Sequence, residues 1–461
     1  MKRGGRASRG KEAGWLLALL AALAGAQLYA FHWGVITPDT IFQWSQVVSG
    51  RYDNWHPPAT TWAWRQLSRL GPGTAPILIF DIALYWTGVW LIAATLWRER
   101  QRWAAGLALL CAASPIPFGQ MGAILKDPLL CACCLVASGL LLASRRHSLR
   151  PLAFAVALAL LLFASATRFN AVAATAPLLA GWAPRRWLSG PARLLATLAG
   201  SAALLGLGGW AIDAVALHPQ NSEPIYSLVN FDLGGIAAHG GRHVYPNLDQ
   251  ATETRMTALC YTPSLYNPAD RTDCDDVEGA LRDYAHAHRR SAVSIWLEAV
   301  ARAPLPYLRH RLAHLNRNLR FAVPGVPDDA IYMMSTPNPY GLDFRANAVT
   351  RGVLRAARMV APTPLGRPAT WMAVALGLLA ISGRLGGARG FVTAVSASVL
   401  LYGLAYAVAS VAPDMRYNFW TMLGAMMALA VAAGDLRERR WLGVALIPAV
   451  VAALIELAAL A

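Results

Sequence analysis

TPDTIFQWSQVVSGRYDNWHPP, residues 37–58, follows directly on an apolar run at 14–33 and therefore lies just outside one face of a membrane. It holds Asp39, Asp53 and His56 in one short connection and ends on the Pro57-Pro58 pair, which stiffens the exit. Its Ile41 to Val48 and Thr60 to Leu70 flanks read as short amphipathic helices lying on the membrane surface.

The rest of the chain supports that placement. Of 461 residues, 56% are hydrophobic and only 14% charged, against roughly 25% charged in a soluble domain. Further apolar runs fall at 75–97, 103–118, 129–143, 151–166, 171–182, 194–217, 370–381, 391–411, 419–433 and 441–460. Runs near 20 residues are spans, so the fold class is an all-α polytopic membrane protein with about eleven transmembrane helices. The organisation is an N-terminal transmembrane core at 1–217, a mixed external domain at 218–345 and a C-terminal transmembrane region at 346–461. The first run carries aromatic residues at its end and has no small-x-small cleavage site, so it reads as a retained helix and not a signal peptide. Arg351, Arg355 and Arg358 share one face of a surface helix at 347–360.

The net charge of +16 first suggests a nucleic-acid partner. Its distribution argues for topology instead. RERQR, RRHSLR, APRRW, GRLGGARG and LRERR are short basic connections that all fall on the side of the basic stretch at 1–11. By the positive-inside rule that side is cytoplasmic. Lysine occurs only at Lys2, Lys11 and Lys126, with arginine everywhere else, which suggests a GC-rich bacterial genome. The expected location is the bacterial inner (plasma) membrane, with a cytoplasmic N-terminus, a periplasmic large segment, the lipid bilayer as partner and no nucleic acid.

With that sidedness, Asp39, Asp53, His56, Lys126, Asp127, Arg168, Asn170, Asp414, Arg416 and Tyr417 all fall at the outer edge, although they come from separate connections. Ionisable groups there are costly unless paired or functional, so one shared polar cavity is expected. Asp39 is either the N-cap of the helix that follows or a base that takes a proton from an acceptor hydroxyl. One carboxylate suffices for a single inverting displacement. Asp127, beside Pro128, is either a helix cap or a second functional acid. Lys126, Arg168 and Arg416, with Tyr417, are candidates for a donor phosphate, or the arginines pair with Asp39, Asp127 or Asp414. Asp53, His56, Asn170 and Asp414 are candidates for substrate contact.

The long polar segment contains NFDLGGIAAHGG, CYTPSLYNPADRTDC and YLRHRLAHLNRNLRF. Cys260 and Cys274 are disulfide candidates in an oxidising compartment. Arg309, His310, Arg311, His314, Arg317 and Arg320 form a basic outer helix, read as interfacial, with His310 and Arg311 as candidates for gripping a lipid-linked phosphate. HExxH, zinc-spaced CxxC pairs, GxSxG and P-loop motifs are absent from the sequence. That favours a donor already activated and delivered in the membrane.

The layout resembles the GT-C superfamily of polytopic glycosyltransferases. The resemblance rests on Asp39 in the first outer loop, His56-Pro57-Pro58 after it, Lys126-Asp127-Pro128 in the next, and the large segment at 218–345. Arg168-Phe169-Asn170 and Asp414-Met415-Arg416-Tyr417 are similar to later outer-loop motifs of bacterial members. The resemblance implies a polyprenyl-phosphate-linked sugar donor, a lipid or glycan acceptor and Asp39 as base. It leaves a divalent metal, Mg or Mn, open as a cofactor. The first loop departs from the pattern, because Thr40 follows Asp39 where an acidic pair is usual. An O-antigen ligase or polymerase using a polyprenyl-diphosphate glycan is the alternative. A transporter is a third reading, weakened by the lack of internal repeats and of charge within the spans beyond Asp81, Asp213 and Glu456.

Overall fold

The computed structural model describes residues 4–145, 148–324 and 330–460, with side chains from residue 14 onward. The side chains of the basic N-terminal stretch, and Arg146 and His147 of the RRHSLR connection, lie outside the described residues. The described chain is built of helices, joined by short 3-10 turns and a few isolated backbone bridges. Six helices are long and apolar enough to cross a membrane: Gly14–Phe31, Ala75–Arg98, Lys126–Ser144, Pro191–Ala216, Met415–Asp435 and Arg440–Ala458. Shorter apolar helices at Arg102–Ala112, Arg150–Ser165, Pro368–Ala380 and Arg389–Ala405 occupy four more of the expected span positions.

The expected span at 171–182 is a nine-residue helix, Val172–Ala180, with Pro177 inside it. At 1.5 Å per residue it rises only ~14 Å, about half of a ~30 Å hydrocarbon layer. Proline removes one hydrogen bond and crowds the preceding turn, which keeps this element short.

Ala75–Arg98 and Lys126–Ser144 form the most extensive helix pair. A Cβ on Gly88 would lie 2.9 Å from the Leu135 backbone, so only glycine lets the two helices approach this closely. Polar groups cross-link the apolar layer. Gln27 donates to the Phe118 carbonyl at 2.7 Å and accepts from the Trp86 indole at 2.8 Å.

The long segment is a helical unit and not a mixed domain. Helices Ile225–Ala238, Gln250–Cys260, Thr272–Ala287, Ala292–Arg302 and Pro304–Asn318 enclose a separate core around Val229, Leu233, Ile236, Leu281 and Ile295. Helical periodicity buries one face of each piece, and no strand forms among the described residues. Cys260 and Cys274 are joined by a disulfide inside this core. Residues 330–344 pack elsewhere: Ala330, Ile331 and Phe344 belong to the large core of the apolar helices.

Candidate functional site

The first connection is organised by a cap. Thr37 accepts from the Thr40 backbone at 3.2 Å, and the Thr40 hydroxyl accepts from the Thr37 backbone at 3.0 Å, opening the Pro38–Ser49 helix. Thr37 therefore does the capping expected of Asp39, which leaves the Asp39 carboxylate free to point away. The chain before it is pinned by backbone bonds. Val35 donates to Gly122 at 2.9 Å, Ile36 donates to Met334 at 3.1 Å, and Thr336 donates to Ile36 at 2.8 Å. The Thr40 hydroxyl also donates to the Ile124 carbonyl at 3.1 Å. Gly34 makes the approach with φ +98°, a conformation that favours glycine. These bonds set Asp39 beside Lys126 and Asp127, at the start of the Lys126–Ser144 helix.

Around them the polar residues close into one cluster. Arg416 donates to Asp39 at 2.8 Å and forms ion pairs with Asp414 at 3.0 Å and Asp127 at 3.8 Å. Asp127 is 2% exposed and bonds Arg168, so it is an ion-pair partner and not a cap. Arg168 also reaches Asn170 at 3.4 Å and lies over the Tyr417 ring at 4.4 Å. The Lys126 amine donates to His56 Nδ1 at 2.7 Å. That leaves the ring proton on Nε2, which faces Asp39 at 3.6 Å, long for a hydrogen bond. Two guanidiniums, Arg168 and Arg416, thus face three carboxylates, Asp39, Asp127 and Asp414, and the Lys126 amine joins them through His56.

The electrostatics follow from that closure. Burial pushes the Asp39 carboxyl upward, but the His56 ring, Arg416 and Lys126 outweigh it and hold Asp39 well below the usual carboxylate range. His56 is held below its ordinary value, first by burial and then by Lys126, with Asp39 only partly opposing. It is therefore neutral at pH 7. Asp39 keeps 26% of its side chain exposed and Asp414 22%. The accessible edge of the cluster is therefore the one that carries Asp39 and Asp414. Asp127 Oδ2 and Asn170 Nδ2 are buried without hydrogen-bond partners, as orphans of this kind often are at functional sites.

Two aromatic residues were not among the expected site residues. The Tyr332 hydroxyl donates to Asp414 at 2.5 Å, and its ring lies 5.6 Å from the Arg416 guanidinium. Tyr406 stacks on Tyr417 with centroids 5.6 Å apart and donates to the Tyr417 carbonyl at 3.0 Å. Tyr332 meets the cluster across 82 residues, whereas Tyr406 folds back on Tyr417 eleven residues later in the chain.

Asp53, His310 and Arg311 lie outside the cluster. Asp53 accepts from the Trp55 backbone at 2.8 Å and from the Ser222 hydroxyl at 2.6 Å, fastening the first connection to the helical unit. His310 and Arg311 are buried around Asp232, at 2.8 and 2.6 Å, so the Pro304–Asn318 helix is not a basic face laid on lipid. Trp296 donates to Asp232 at 2.7 Å, and the Tyr261 hydroxyl meets His310 Nδ1 at 2.8 Å. Arg311 has a second task, donating to the Ser410 carbonyl at 2.8 Å. Asn418 reaches Asn318 at 2.9 Å. The helix thereby holds both ends of the 410–418 stretch that carries Asp414 and Arg416.

Among the described residues, no group of three or more His, Cys, Asp or Glu is arranged to hold a metal ion. The carboxylates of the cluster are turned to arginines, so these residues do not fit a divalent metal, and no step is derived through one. Neither family models, nor curated proteins, nor solved structures match this chain.

Proposed function

We propose that this chain is an inverting membrane glycosyltransferase of the GT-C kind, moving a sugar from a polyprenyl-phosphate donor to a lipid or glycan acceptor of the cell envelope. One observation carries the reading. Asp39, His56, Lys126, Asp127, Arg168, Asp414 and Arg416 come from four separated connections and meet in a single polar cluster at one end of apolar helices. Such groups are expensive at a membrane edge and persist where they serve substrate or ion chemistry.

In this scheme the acceptor hydroxyl oxygen forms a bond to the anomeric carbon while the bond from that carbon to the phosphate oxygen breaks. The hydroxyl proton passes to Asp39, and the bonding pair leaves with the phosphate, which Arg416, Arg168 and Lys126 stabilise. Tyr417 braces both guanidiniums from one side. Held by Arg416, Asp39 is a weak base. A donor phosphate competes for Arg416, so donor binding frees the carboxylate and raises its basicity at the moment an acceptor is needed. The outer leaflet of a bacterial plasma membrane is the location this reading requires, with the basic connections on the cytoplasmic side.

The test is Asp39→Asn. The variant inserts in the membrane as the native chain does and loses transfer by about 10²–10⁴-fold, the range of a positioned acid–base group. Full activity in that variant removes the base. A second reading takes its support from the three clustered cations, which suit a diphosphate as well as a monophosphate. Feeding purified protein polyprenyl-monophosphate sugar and polyprenyl-diphosphate glycan in parallel separates the two.

A further inference from the structure

An apolar cavity lies apart from the polar cluster and shares none of its residues. It encloses about 700 Å³ and lies between the start of the Arg150–Ser165 helix, the end of Val172–Ala180 and the start of Pro191–Trp210. Arg168 and Asn170 sit past the other end of Arg150–Ser165, so cavity and cluster are at opposite ends of one helix. Phe154, Leu179, Trp182, Trp187 and Leu204 make its walls apolar, and Arg193 stands at its rim.

Four features identify what fits there. First, the Pro191–Ala216 span is only 17% buried inside the protein, so the cavity opens sideways into the lipid layer. Second, Leu179 and Trp182 are buried while Phe154, Trp187 and Leu204 stay exposed, so the cavity has a closed floor and an open apolar wall. Third, Arg193 lines the cavity, Arg150 lies 5.8 Å from the Trp182 ring, and Arg185 and Arg186 stand in the chain between the lining residues Pro184 and Trp187. No Asp or Glu occurs between Asp127 and Asp213, and among the described residues none of these four arginines pairs with a carboxylate. Fourth, Trp182 and Trp187 sit where an apolar layer meets a basic connection, the usual level of lipid headgroups.

We propose that this cavity is a binding site for an anionic diacyl phospholipid of the leaflet that meets the basic connections. An acyl chain lies along Phe154, Leu179 and Leu204. The phosphodiester faces Arg193 with Arg185 and Arg186. Basic pockets between membrane helices recognise acidic headgroups in this way. The inference is independent of the glycosyltransferase reading, because it uses none of those residues.

The experiment is native mass spectrometry of the purified full chain in mild detergent, titrated with phosphatidylglycerol, phosphatidylcholine of the same acyl chains, or inorganic phosphate. The native protein is expected to retain one phosphatidylglycerol well above phosphatidylcholine and no inorganic phosphate. Each arginine near a headgroup is worth about fivefold, so the triple variant Arg185→Gln, Arg186→Gln, Arg193→Gln should lose preference by about tenfold or more. Gly200→Phe points a ring into open space on the cavity wall and should lower retention of both lipids. Equal retention of the two lipids by the native chain, reflecting a general lipid annulus, would overturn the proposal. So would unchanged retention in Gly200→Phe, which remains readable where the triple variant fails to fold, or a dimer of the chain that Gly200→Phe abolishes.

Discussion

The cluster around Asp39 and the cluster around Asp232 contain the same residue types, an aspartate with histidine, arginine and tyrosine partners, and do different work. Asp232 has no exposed surface and faces Trp296, His310 and Arg311. Asp39 is a quarter exposed and shares Arg416 with two other carboxylates. The first arrangement is sealed and joins three helices of one unit, Ile225–Ala238, Ala292–Arg302 and Pro304–Asn318, around a single anion. The second has an accessible edge and competing partners, so an incoming anion can redistribute its bonds. Accessibility and shared partners, and not residue type, separate a brace from a candidate reaction centre.

The largest expected effect tests that separation directly. Asp232→Ala leaves His310 and Arg311 buried without their anion and should destabilise the protein by about 3–5 kcal/mol, read as a lowered melting temperature in detergent. Asp39→Ala should cost less than about 2 kcal/mol, because Arg416 keeps Asp414. Equal losses would erase the distinction.

A pH titration sharpens it next. His314, packed beside His310 on the same helix, is pushed down to about 4, chiefly by burial and with the Pro263 carbonyl opposing. The unfolded chain takes up a proton near pH 6.5 that the folded chain refuses until about pH 4. Stability is therefore complete above about pH 6.5 and falls as pH drops toward 4, by ~1.4 kcal/mol per unit and ~3 kcal/mol in all. His314→Gln should flatten that part of the melting curve. Asp39, with its carboxyl held low, gives a stabilisation that is fully present above about pH 4, the ordinary aspartate value, and is lost only below it as its ion pairs are titrated away.

The smallest effect concerns placement. Thr37→Ala removes the cap of the helix that carries Asp39 and should cost about 1 kcal/mol. If the cap positions the carboxylate, transfer should fall further than that loss of stability explains. A parallel fall in both would reduce Thr37 to an ordinary cap.

Much of this was legible before any coordinates. Apolar length marks six helices long enough to span a membrane, and the polar residues expected at one edge converge although they share no sequence neighbourhood, Asp53 excepted. The exceptions have physical causes. Asp232 sits in an apolar stretch and finds His310 78 residues later, so nothing local announces the pair. His310 and Arg311 read as a surface-basic pair, yet their spacing on the helix turns them inward while Leu305, Leu308 and Leu312 face outward. Asp39 and Thr37 are both good caps by residue type, and only hydrogen-bond geometry chooses Thr37. Tyr332 reaches the cluster by tertiary contact alone.

Arg416 and Asp39 are 377 positions apart in the chain. A nascent protein that has emerged only as far as its first ten helices already holds Asp39, Asp127 and Arg168, but not the guanidinium that joins them. Assembly of the cluster must wait for almost the last part of synthesis, so no amino-terminal fragment inherits it.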